Sequence, residues 1–411
     1  MYDLIVVGAG AAGMMAAGRA AEKKKSVLLL EKNARPGKKL LITGKGRCNL
    51  TNDCEIEEMI ANFFGNGKFL YNALYTFPNW RLRQFFADLG VETKVERGKR
   101  VFPVSDSARD VVEALQKYIN KSGVEIKYKQ AVEKVHSKKE DFFRVVTRKG
   151  QKYDGHNLLL ATGGKSYPGT GSSGDGYEIA QRLGHNVTNL YPSLVPLNTK
   201  EEWPKEAQGL TLKNVRVSLE IEGEDVDSEF GELLFTHFGV SGPTVLTLSR
   251  RVVPNLDKDV KLKINLKPAL NFVQLDERLQ RDFKKYARKQ FKNSLGDLLP
   301  AKLRSVIIGQ VSIPSRKEVN QITKKERREL VEVLQNLELT VTGSQGFRAA
   351  VVTAGGVATD EIDPRNMSSR LLEGLYFAGE IIDIDGLTGG FNLQAAFSTG
   401  YVVGESVGEK S

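Results

Sequence analysis

The chain has 411 residues, with 60 Lys and Arg against 50 Asp and Glu, a formal net charge of +10 and an apolar fraction of 40%. This length exceeds one typical domain, and the composition is that of an ordinary globular protein of two or three domains. The two cysteines exclude a disulfide framework and predict a cytoplasmic protein. The sequence has no run of about 18 apolar residues, so it predicts no membrane span.

The chain begins with a predicted strand, helix and strand. Tyr2–Val7 is a short apolar run that ends at a glycine, which is typical of a buried parallel strand. Ala11–Lys24 follows as a helix, and Ser26–Leu30 is a second strand that Glu31 closes. This order predicts a βαβ unit of the kind that binds a nucleotide at the end of its first strand.

The turn of this unit carries the pattern Gly8-Ala9-Gly10-Ala11-Ala12-Gly13. Gly8 permits the tight turn, Gly10 lets a pyrophosphate approach the backbone, and Gly13 lets helix and strand pack closely. The start of the helix offers free N–H groups and the positive end of its dipole to the phosphates. Glu31 can accept hydrogen bonds from a ribose diol and argues against a 2′-phosphate. The pattern predicts dinucleotide binding but does not separate FAD from NAD.

The predicted pattern of strands and helices changes twice along the rest of the chain. Up to residue 191 the sequence predicts helices at Phe85–Leu89 and Asp110–Asn120 and strands at Val124–Tyr128, Ala131–His136, Phe142–Thr147 and Leu158–Leu160. After Pro192 it predicts strands at Val215–Glu222, Glu229–Phe235, Leu262–Leu266 and Leu339–Thr342, and helices at Gln274–Lys292 and Lys324–Leu334. Leu375–Phe377 as a strand and Asn392–Gly404 as a helix then resume the first pattern. We therefore predict a discontinuous nucleotide domain with an insert near 192–352.

Several other segments combine glycine with a strand or helix. Residues 37–52 form a basic, glycine-rich loop that can close over a dinucleotide. Leu158–Gly164 is a buried strand that runs into a glycine pair, and Gly374–Glu380 is another short strand that ends in glycine and an acid. Gly386–Gln394 opens the last helix. These segments can bring the chain back beside the dinucleotide, and the acid can bind ribityl hydroxyls.

These motifs resemble the BaiN/YhiN-like family of bacterial NAD(P)/FAD-dependent oxidoreductases, also described as aminoacetone oxidase-like. The resemblance covers essentially the whole chain, and its most specific segments are Gly44–Asn52, Arg100–Ser105, Phe235–Pro243 and Gly389–Gln394. It implies an α/β fold: a glutathione-reductase-like FAD-binding Rossmann domain, residues 1–191 and 353–411, with an insert at 192–352. The insert would contain a β-barrel part, about 192–268 and 336–352, and a helical part, about 269–335.

The motifs and the resemblance together predict the residues that hold FAD without a covalent bond. By the resemblance, Val132 should meet the adenine through its backbone, and Gly379, Glu380, Asn392 and Leu393 should lie along the ribityl chain and the isoalloxazine. The full predicted set is Gly8, Gly10, Ala11, Ala12, Gly13, Glu31, Lys32, Lys39, Leu40, Gly46, Arg47, Cys48, Asn49, Val132, Ala161, Thr162, Gly163, Gly379, Glu380, Gly390, Phe391, Asn392 and Leu393.

A flavin oxidoreductase would move a hydride between the flavin and NAD(P)H or a small organic substrate. No second GxGxxG follows a strand, so NAD(P)H as reductant would bind transiently over the flavin. The predicted partner is therefore a small molecule. The sequence indicates neither its identity nor an oligomeric state.

One basic segment suggests an alternative. Residues 272–330 hold 15 Lys and Arg against 7 Asp and Glu, which could serve a flavin-dependent RNA-modifying or RNA-binding protein. The segment lacks interleaved aromatics and an RNA-binding signature. The sequence therefore favours a solvated helical surface over a nucleic-acid partner.

The remaining reactive side chains give weaker indications. Cys48 and Cys54 are spaced differently from the pair of disulfide-reducing flavoenzymes, which favours an inert or flavin-adjacent Cys48, and no spacing of Cys and His predicts a metal site. His136, His156 and His185 are predicted to lie on the surface. His237 is the candidate substrate-binding histidine, although a structural role for it is about as well supported.

The reaction centre is predicted at the start of the last helix. Gly389 and Gly390 let the backbone approach a flat ligand, and the helix's first N–H groups and positive dipole end suit the N1–C2=O edge of a reduced flavin. His237 and Phe238 would then face the ring from the opposite side. An ordinary helix cap that never meets the flavin is the alternative.

Overall fold

The computed structural model describes residues 1–138 and 142–408. Its chain separates into two compact units, one of Met1–Pro192 and Ala350–Ser411 and the other of Ser193–Ala349. The α-helices are α1 Ala11–Glu22, α2 Ile56–Ala61, α3 Tyr71–Thr76, α4 Asn79–Asp88, α5 Ala108–Lys121, α6 Asp175–Arg182, α7 Trp203–Glu206, α8 Pro243–Val252, α9 Phe272–Lys285, α10 Ala301–Gly309, α11 Lys324–Gln335 and α12 Phe391–Ser406.

Strands occur in both units. They are β1 Tyr2–Val7, β2 Val27–Leu30, β3 Thr51–Asn52, β4 Phe63–Phe64, β5 Thr93–Glu96, β6 Arg100–Pro103, β7 Glu125–Lys127, β8 Val132–Lys138, β9 Phe142–Thr147, β10 Lys152–Leu160, β11 Tyr191–Ser193, β12 Leu197–Thr199, β13 Thr211–Ile221, β14 Glu224–Thr236, β15 Gly239–Ser241, β16 Val260–Asn265, β17 Leu337–Ser344, β18 Val352–Ala354, β19 Leu375–Phe377 and β20 Asp385–Gly386.

The first unit is built on a mixed sheet in the order β7-β2-β1-β10-β9-β8, with β19 pairing with β10. The pairs among β7, β2, β1, β10 and β19 are parallel, whereas β9 runs antiparallel to β10 and β8. Leu4–Val7, Val27–Leu30 and Leu158–Leu160 are buried, as expected for parallel strands covered on both faces. The carboxyl ends of these parallel strands therefore lie along one edge of the sheet.

Small residues let α1 and α12 pack closely beside this sheet. A Cβ on Gly400 would lie 2.3 Å from the carbonyl oxygen of Ala12, and one on Gly404 would lie 2.6 Å from Cβ of Arg19. α12 itself is almost wholly buried along Phe391–Gly404. The predicted last helix therefore forms part of the core of the first unit.

The second unit contains a closed barrel in the order β12-β15-β14-β13-β16-β17. Alternation along β16, where Val260, Leu262 and Ile264 are buried, directs apolar side chains inward. Helices α9 and α11 carry their own buried stripes and each begin with a capping box, Asn271 with Gln274 and Thr323 with Glu326. Barrel and helices share one continuous apolar core.

The end of one predicted helix and the burial of one predicted surface histidine differ from this fold. The predicted helix Gln274–Lys292 ends at Lys285, because the backbone N–H of Phe291 donates to the carbonyl of Lys317 at 2.9 Å and draws that segment out of the helix. His185, predicted on the surface, is buried with 3% exposure, whereas His136 and His156 are exposed. Among the described residues, every helix is too short or too polar to cross a membrane.

His185 should make folding of the first unit sensitive to acid. Its Nε2 lies 2.8 Å from Oγ of Ser369 and its Nδ1 lies 3.0 Å from Oε2 of Glu361, and burial lowers the pKa of the imidazole. Because the unfolded histidine takes up a proton more readily, the free energy of unfolding should fall as the pH drops below about 6.5. Denaturant unfolding at pH 7.5 and 5.5 checks this, and His185→Gln should be less stable at pH 7.5 but lose less on acidification. An equal loss in both proteins would contradict the prediction.

Candidate functional site

The glycine-rich turn between β1 and α1 has a different constraint at each glycine. Gly8 has φ +105°, and a Cβ there would lie 2.5 Å from the carbonyl oxygen of Ala161. A Cβ on Gly13 would lie 1.9 Å from the carbonyl oxygen of Gly8, so the helix packs directly on the turn. A Cβ on Gly10 would meet nothing within 4 Å. The turn is therefore tight on its protein side and open at Gly10, which is the space that a ligand's phosphates require.

Glu31 ends β2 and is buried against this turn. Its Oε2 accepts from the backbone N–H of Ala9 at 2.9 Å, and its Oε1 accepts from the backbone N–H and the side-chain amide of Asn33, each at 2.7 Å. The carboxylate thus ties the turn to the segment after β2. Asn33 occupies both acceptor positions of Oε1, and Ala9 occupies one of the two on Oε2. A ribose hydroxyl would therefore donate to Oε2.

A second glycine- and serine-rich loop, residues 163–175, borders the same edge of the sheet. Lys32 Nζ lies 2.9 Å from Asp175 and 2.5 Å from Oγ of Ser173, and the Asn33 amide donates to the carbonyl of Thr170 at 3.0 Å. Lys32 was predicted for the site, but the loop that it contacts was predicted only up to Gly163. The run of glycines at 169, 171, 174 and 176 is the signal that could have identified it.

Ala161, Thr162 and Gly163 follow β10 and close the turn from the other side. The Ala161 N–H donates to the carbonyl of Val7 at 3.0 Å, and Gly163 has φ +73°. Gly379, after β19, lies close to α1, since a Cβ on it would be 3.0 Å from Cβ of Ala12. The structure therefore brings together predicted residues from the ends of β1, β2, β10 and β19.

Val132 is the first residue of the edge strand β8, and the segment just before it is hydrogen-bonded to Glu31. The N–H of Gln130 donates to the carbonyl of Glu31 at 2.9 Å, two residues before Val132. A cavity of about 550 Å³ opens beside this strand, lined by Val132, Lys134, Arg148, Asp175, Ile179 and Arg182 among others. The groove lies beside Val132, the residue predicted to meet the adenine.

The loop after β2 contributes Lys39 and Leu40 but directs Arg47 elsewhere. Leu40 is buried, and Gly46 takes up a positive φ of +86°. The Arg47 guanidinium pairs with Glu96 and Asp106 and lies 4.1 Å from the centre of the Phe102 ring. Arg47 thus fixes the loop, and its guanidinium is already engaged by protein carboxylates.

Cys48 and Asn49 lie inside this loop. Cys48 is fully buried with φ +60°, and Asn49 Oδ1 is buried without a hydrogen-bond partner among the described residues. Burial raises the pKa of the Cys48 thiol to about 12 and that of Cys54 to about 11. Both thiols are free, and both are held in their protonated, unreactive form.

We expect both cysteines to resist alkylation in the native protein. At pH 8 a pKa near 11 or 12 leaves almost no thiolate, and burial blocks access. Mass spectrometry after iodoacetamide should find Cys48 and Cys54 unmodified in native protein and both modified in denatured protein. Rapid native labelling of Cys48 would contradict this and would reopen a redox role for it.

Lys39 meets Glu380 across the sequence. Lys39 Nζ lies 2.6 Å from Glu380 Oε2 and 2.7 Å from Oγ of Ser166, and Ser166 Oγ lies 2.8 Å from Glu380 Oε1. The backbone N–H of Thr353 also donates to Oε1, at 2.9 Å. Both residues of this ion pair were predicted for the site, whereas Ser166 and Thr353 were not, because neither belongs to a recognisable motif.

Gly390, at the start of α12, is tightly packed, and the residues that follow it differ in burial. Gly390 has φ +105°, and a Cβ there would lie 2.3 Å from the carbonyl carbon and oxygen of Thr51, so a side chain at 390 would disturb the backbone itself. Phe391 is buried, and Leu393 packs partly buried against the core. The Asn392 side chain bonds to the backbone N–H and carbonyl of Gly386, each at 2.8 Å, and so braces the preceding loop.

His237 belongs to the second unit. It is exposed, and its ring lies 5.0 Å from that of Phe238 in an edge-to-face arrangement. Within the described residues, no group of three or more Cys, His, Asp and Glu side chains could hold a metal ion. The convergence of predicted residues is therefore confined to the first unit.

A family model, the HI0933-like protein Rossmann domain, matches residues 2–406. The chain belongs to this family. Its fold is the Rossmann-type α/β fold that the sequence predicted, and the resemblance to the BaiN/YhiN-like proteins is confirmed at the level of the family.

Named relatives span the whole chain. The chain is 32% identical to the 3-dehydro-bile acid delta(4,6)-reductase of Clostridium scindens, covering all of both chains, and 33% identical to the ribosomal RNA dihydrouridine synthase of Escherichia coli, covering 99% and 98%. Among solved structures, the 3-ketosteroid delta1-dehydrogenase of Sterolibacterium denitrificans is similar with a TM-score of 0.51 at 13% identity, covering 99% of both chains. The family and the bile acid reductase support a general flavin redox role, and the dehydrogenase structure shows a similar fold.

Proposed function

We propose that this member of the HI0933-like family is an oxidoreductase that binds FAD without a covalent bond. The observation that carries the proposal is the open space at Gly10, in a turn that Glu31 and the residues after β10 and β19 contact. A turn that is tight everywhere except where a pyrophosphate would approach fits the ADP half of FAD. Glu31, an acid at the position where a 2′-phosphate would need an arginine, fits an unphosphorylated ribose.

The chain's own residues divide the work of binding. Gly8–Gly13 and the first N–H groups of α1 would hold the pyrophosphate, Glu31 the ribose and the backbone near Val132 the adenine. Glu380, Asn392 and Leu393 would hold the ribityl chain and the ring. FAD supplies the capacity to accept and return a hydride, and these residues orient it and exclude water.

The substrate class follows from what the two named relatives have in common. A 3-dehydro-bile acid with Δ4,6 unsaturation and the uracil ring of uridine each carry a carbon–carbon double bond conjugated to a carbonyl. Reduction of such a bond adds a hydride to the β-carbon and a proton to the α-carbon. We propose the same reaction class here, with NAD(P)H as the transient source of the two electrons.

Anaerobic titration tests this proposal. FAD-loaded protein is mixed with NADH, NADPH or an amine while flavin absorbance is followed, and the reduced protein is then offered enones, ketones and oxygen. We expect one nicotinamide to bleach the flavin and an enone to restore its colour with formation of the saturated product. Reoxidation by oxygen alone, with no enone consumed, would contradict the proposed reaction class.

A uridine in RNA is the second candidate substrate, and the surface of the helical part favours it. Lys284, Lys285, Arg288 and Lys289 are exposed, and the ammonium groups of Lys285 and Lys289 lie 5.0 and 4.3 Å from the Tyr286 ring centre. Tyr286 is thus an aromatic interleaved with cations, contrary to the expectation from the sequence that this segment lacks them. Exposed cations around an aromatic ring suit a phosphate backbone and a base.

Salt-dependent RNA binding separates the two candidates. Changing these four cations to glutamine should lower RNA affinity and flatten its salt dependence, whereas changing the exposed Lys117, Lys121, Lys149 and Lys152 should not. Equal RNA affinity in both variants would leave the small-molecule enone as the substrate.

A further inference from the structure

The short strand β18 carries a buried threonine that contacts two parts of the candidate cofactor site, the turn after β10 and Glu380. Thr353 is fully buried, and its Oγ1 accepts from the backbone N–H groups of Lys165 and Ser166 at 2.8 and 3.0 Å. Its own N–H donates to Glu380 Oε1 at 2.9 Å. One residue therefore joins the turn after β10 to the carboxylate after β19.

The hydrogen bonds that Glu380 makes with the described residues leave one acceptor position of its carboxylate unoccupied. A carboxylate offers about four acceptor positions, two on each oxygen. Oε1 accepts from Ser166 Oγ and from Thr353 N–H, and Oε2 accepts from Lys39 Nζ. Among the described residues, the remaining acceptor position is therefore on Oε2.

The atoms around Thr353 are closely packed. A Cβ on Gly164 would lie 2.5 Å from Thr353 Oγ1 and 2.9 Å from Glu380 Oε1. Glycine at 164 is thus required for the threonine hydroxyl and the carboxylate to approach the same turn. Loss of the hydroxyl would leave two buried N–H groups without an acceptor, and the turn would have to move.

We propose that Thr353 is a positioning residue for FAD. Its hydroxyl fixes the turn that carries Ser166, and Ser166 and the Thr353 N–H hold Oε1 of Glu380. The free acceptor position on Oε2 is then left for a hydroxyl of the ribityl chain. The inference rests on the proposed binding of FAD. It gives Thr353 of β18 a role in FAD binding that requires no direct contact with FAD.

FAD affinity of the apoprotein tests the role of Thr353. Thr353→Val keeps the shape but removes the acceptor, and it should weaken FAD binding by about 10-fold or more. Thr353→Ser should retain affinity within about twofold. Thr188→Val is the matched control, because Thr188 Oγ1 accepts from Gly356 N–H at 3.0 Å without contacting Glu380, and it should leave FAD affinity unchanged.

A double-mutant cycle distinguishes positioning from a general loss of structure. In a Glu380→Ala background, Thr353→Val should change the FAD dissociation constant by less than about twofold, because the carboxylate that it positions is gone. Unfolding of each apoprotein identifies variants that fail to fold, and Thr353→Ala, with the same expectation, replaces the valine variant in that case.

The outcomes separate the two claims. A wild-type protein that does not bind FAD refutes the proposed cofactor. A wild type that binds FAD while Thr353→Val binds it equally well, or loses the same factor with and without Glu380, refutes the positioning role alone.

Discussion

Gly13→Ala should destabilise the apoprotein by about 3 kcal/mol, the upper range for forcing a methyl group into a packed site. The added Cβ would lie 1.9 Å from the carbonyl oxygen of Gly8, and the sheet and α1 fix the backbone that carries the two atoms. Denaturant unfolding of the FAD-free protein measures the loss.

Gly10→Ala is the matched comparison in the same turn. Gly10 has φ −86°, which alanine adopts readily, and its Cβ would meet nothing within 4 Å. We expect unchanged stability of the apoprotein but weaker FAD binding, because the methyl group occupies the space left for the pyrophosphate. Equal stability of Gly13→Ala and wild type, or full FAD affinity in Gly10→Ala, would contradict this account of the turn.

Glu31→Ala should weaken FAD binding by roughly 1–3 kcal/mol, the cost of losing charge-assisted hydrogen bonds in a buried site. The loss has two parts, since Glu31 would bind the ribose and also accepts from the N–H groups of Ala9 and Asn33. The FAD dissociation constant from fluorescence quenching gives the total.

Glu31→Gln separates the two parts of that loss. Glutamine keeps the size and one acceptor oxygen, so it should support the turn better than alanine and bind FAD with intermediate affinity. The unfolding free energies of the apoproteins report the support given to the turn alone. Unchanged FAD affinity in Glu31→Ala would remove Glu31 from the binding site.

The turn and Glu31 could be predicted because their constraints are local. Gly8, Gly10 and Gly13 lie within six residues, and the strand and helix that flank them have unambiguous hydrophobic patterns. Placing Glu31 needed only the next strand. The predicted strands Tyr2–Val7, Phe142–Thr147 and Leu375–Phe377 have the same bounds in the structure.

The rest of the site depends on contacts between distant segments. Ser166 and Thr353 are 187 positions apart, and each is an ordinary residue of its own segment. Arg47 was predicted among the FAD-binding residues, yet Glu96 of β5 and Asp106 after β6 engage its guanidinium. His185 looked like a surface histidine because neither Glu361 nor Ser369 can be assigned to it before the chain is folded.

The cofactor released by the purified protein tests the central claim most directly. Acid precipitation followed by chromatography of the supernatant distinguishes FAD, FMN and no flavin. We expect a yellow protein that releases FAD in a ratio approaching one per chain, or an apoprotein that becomes yellow on reconstitution with FAD. Release of FMN alone, or a colourless protein that FAD cannot reconstitute, would contradict the account.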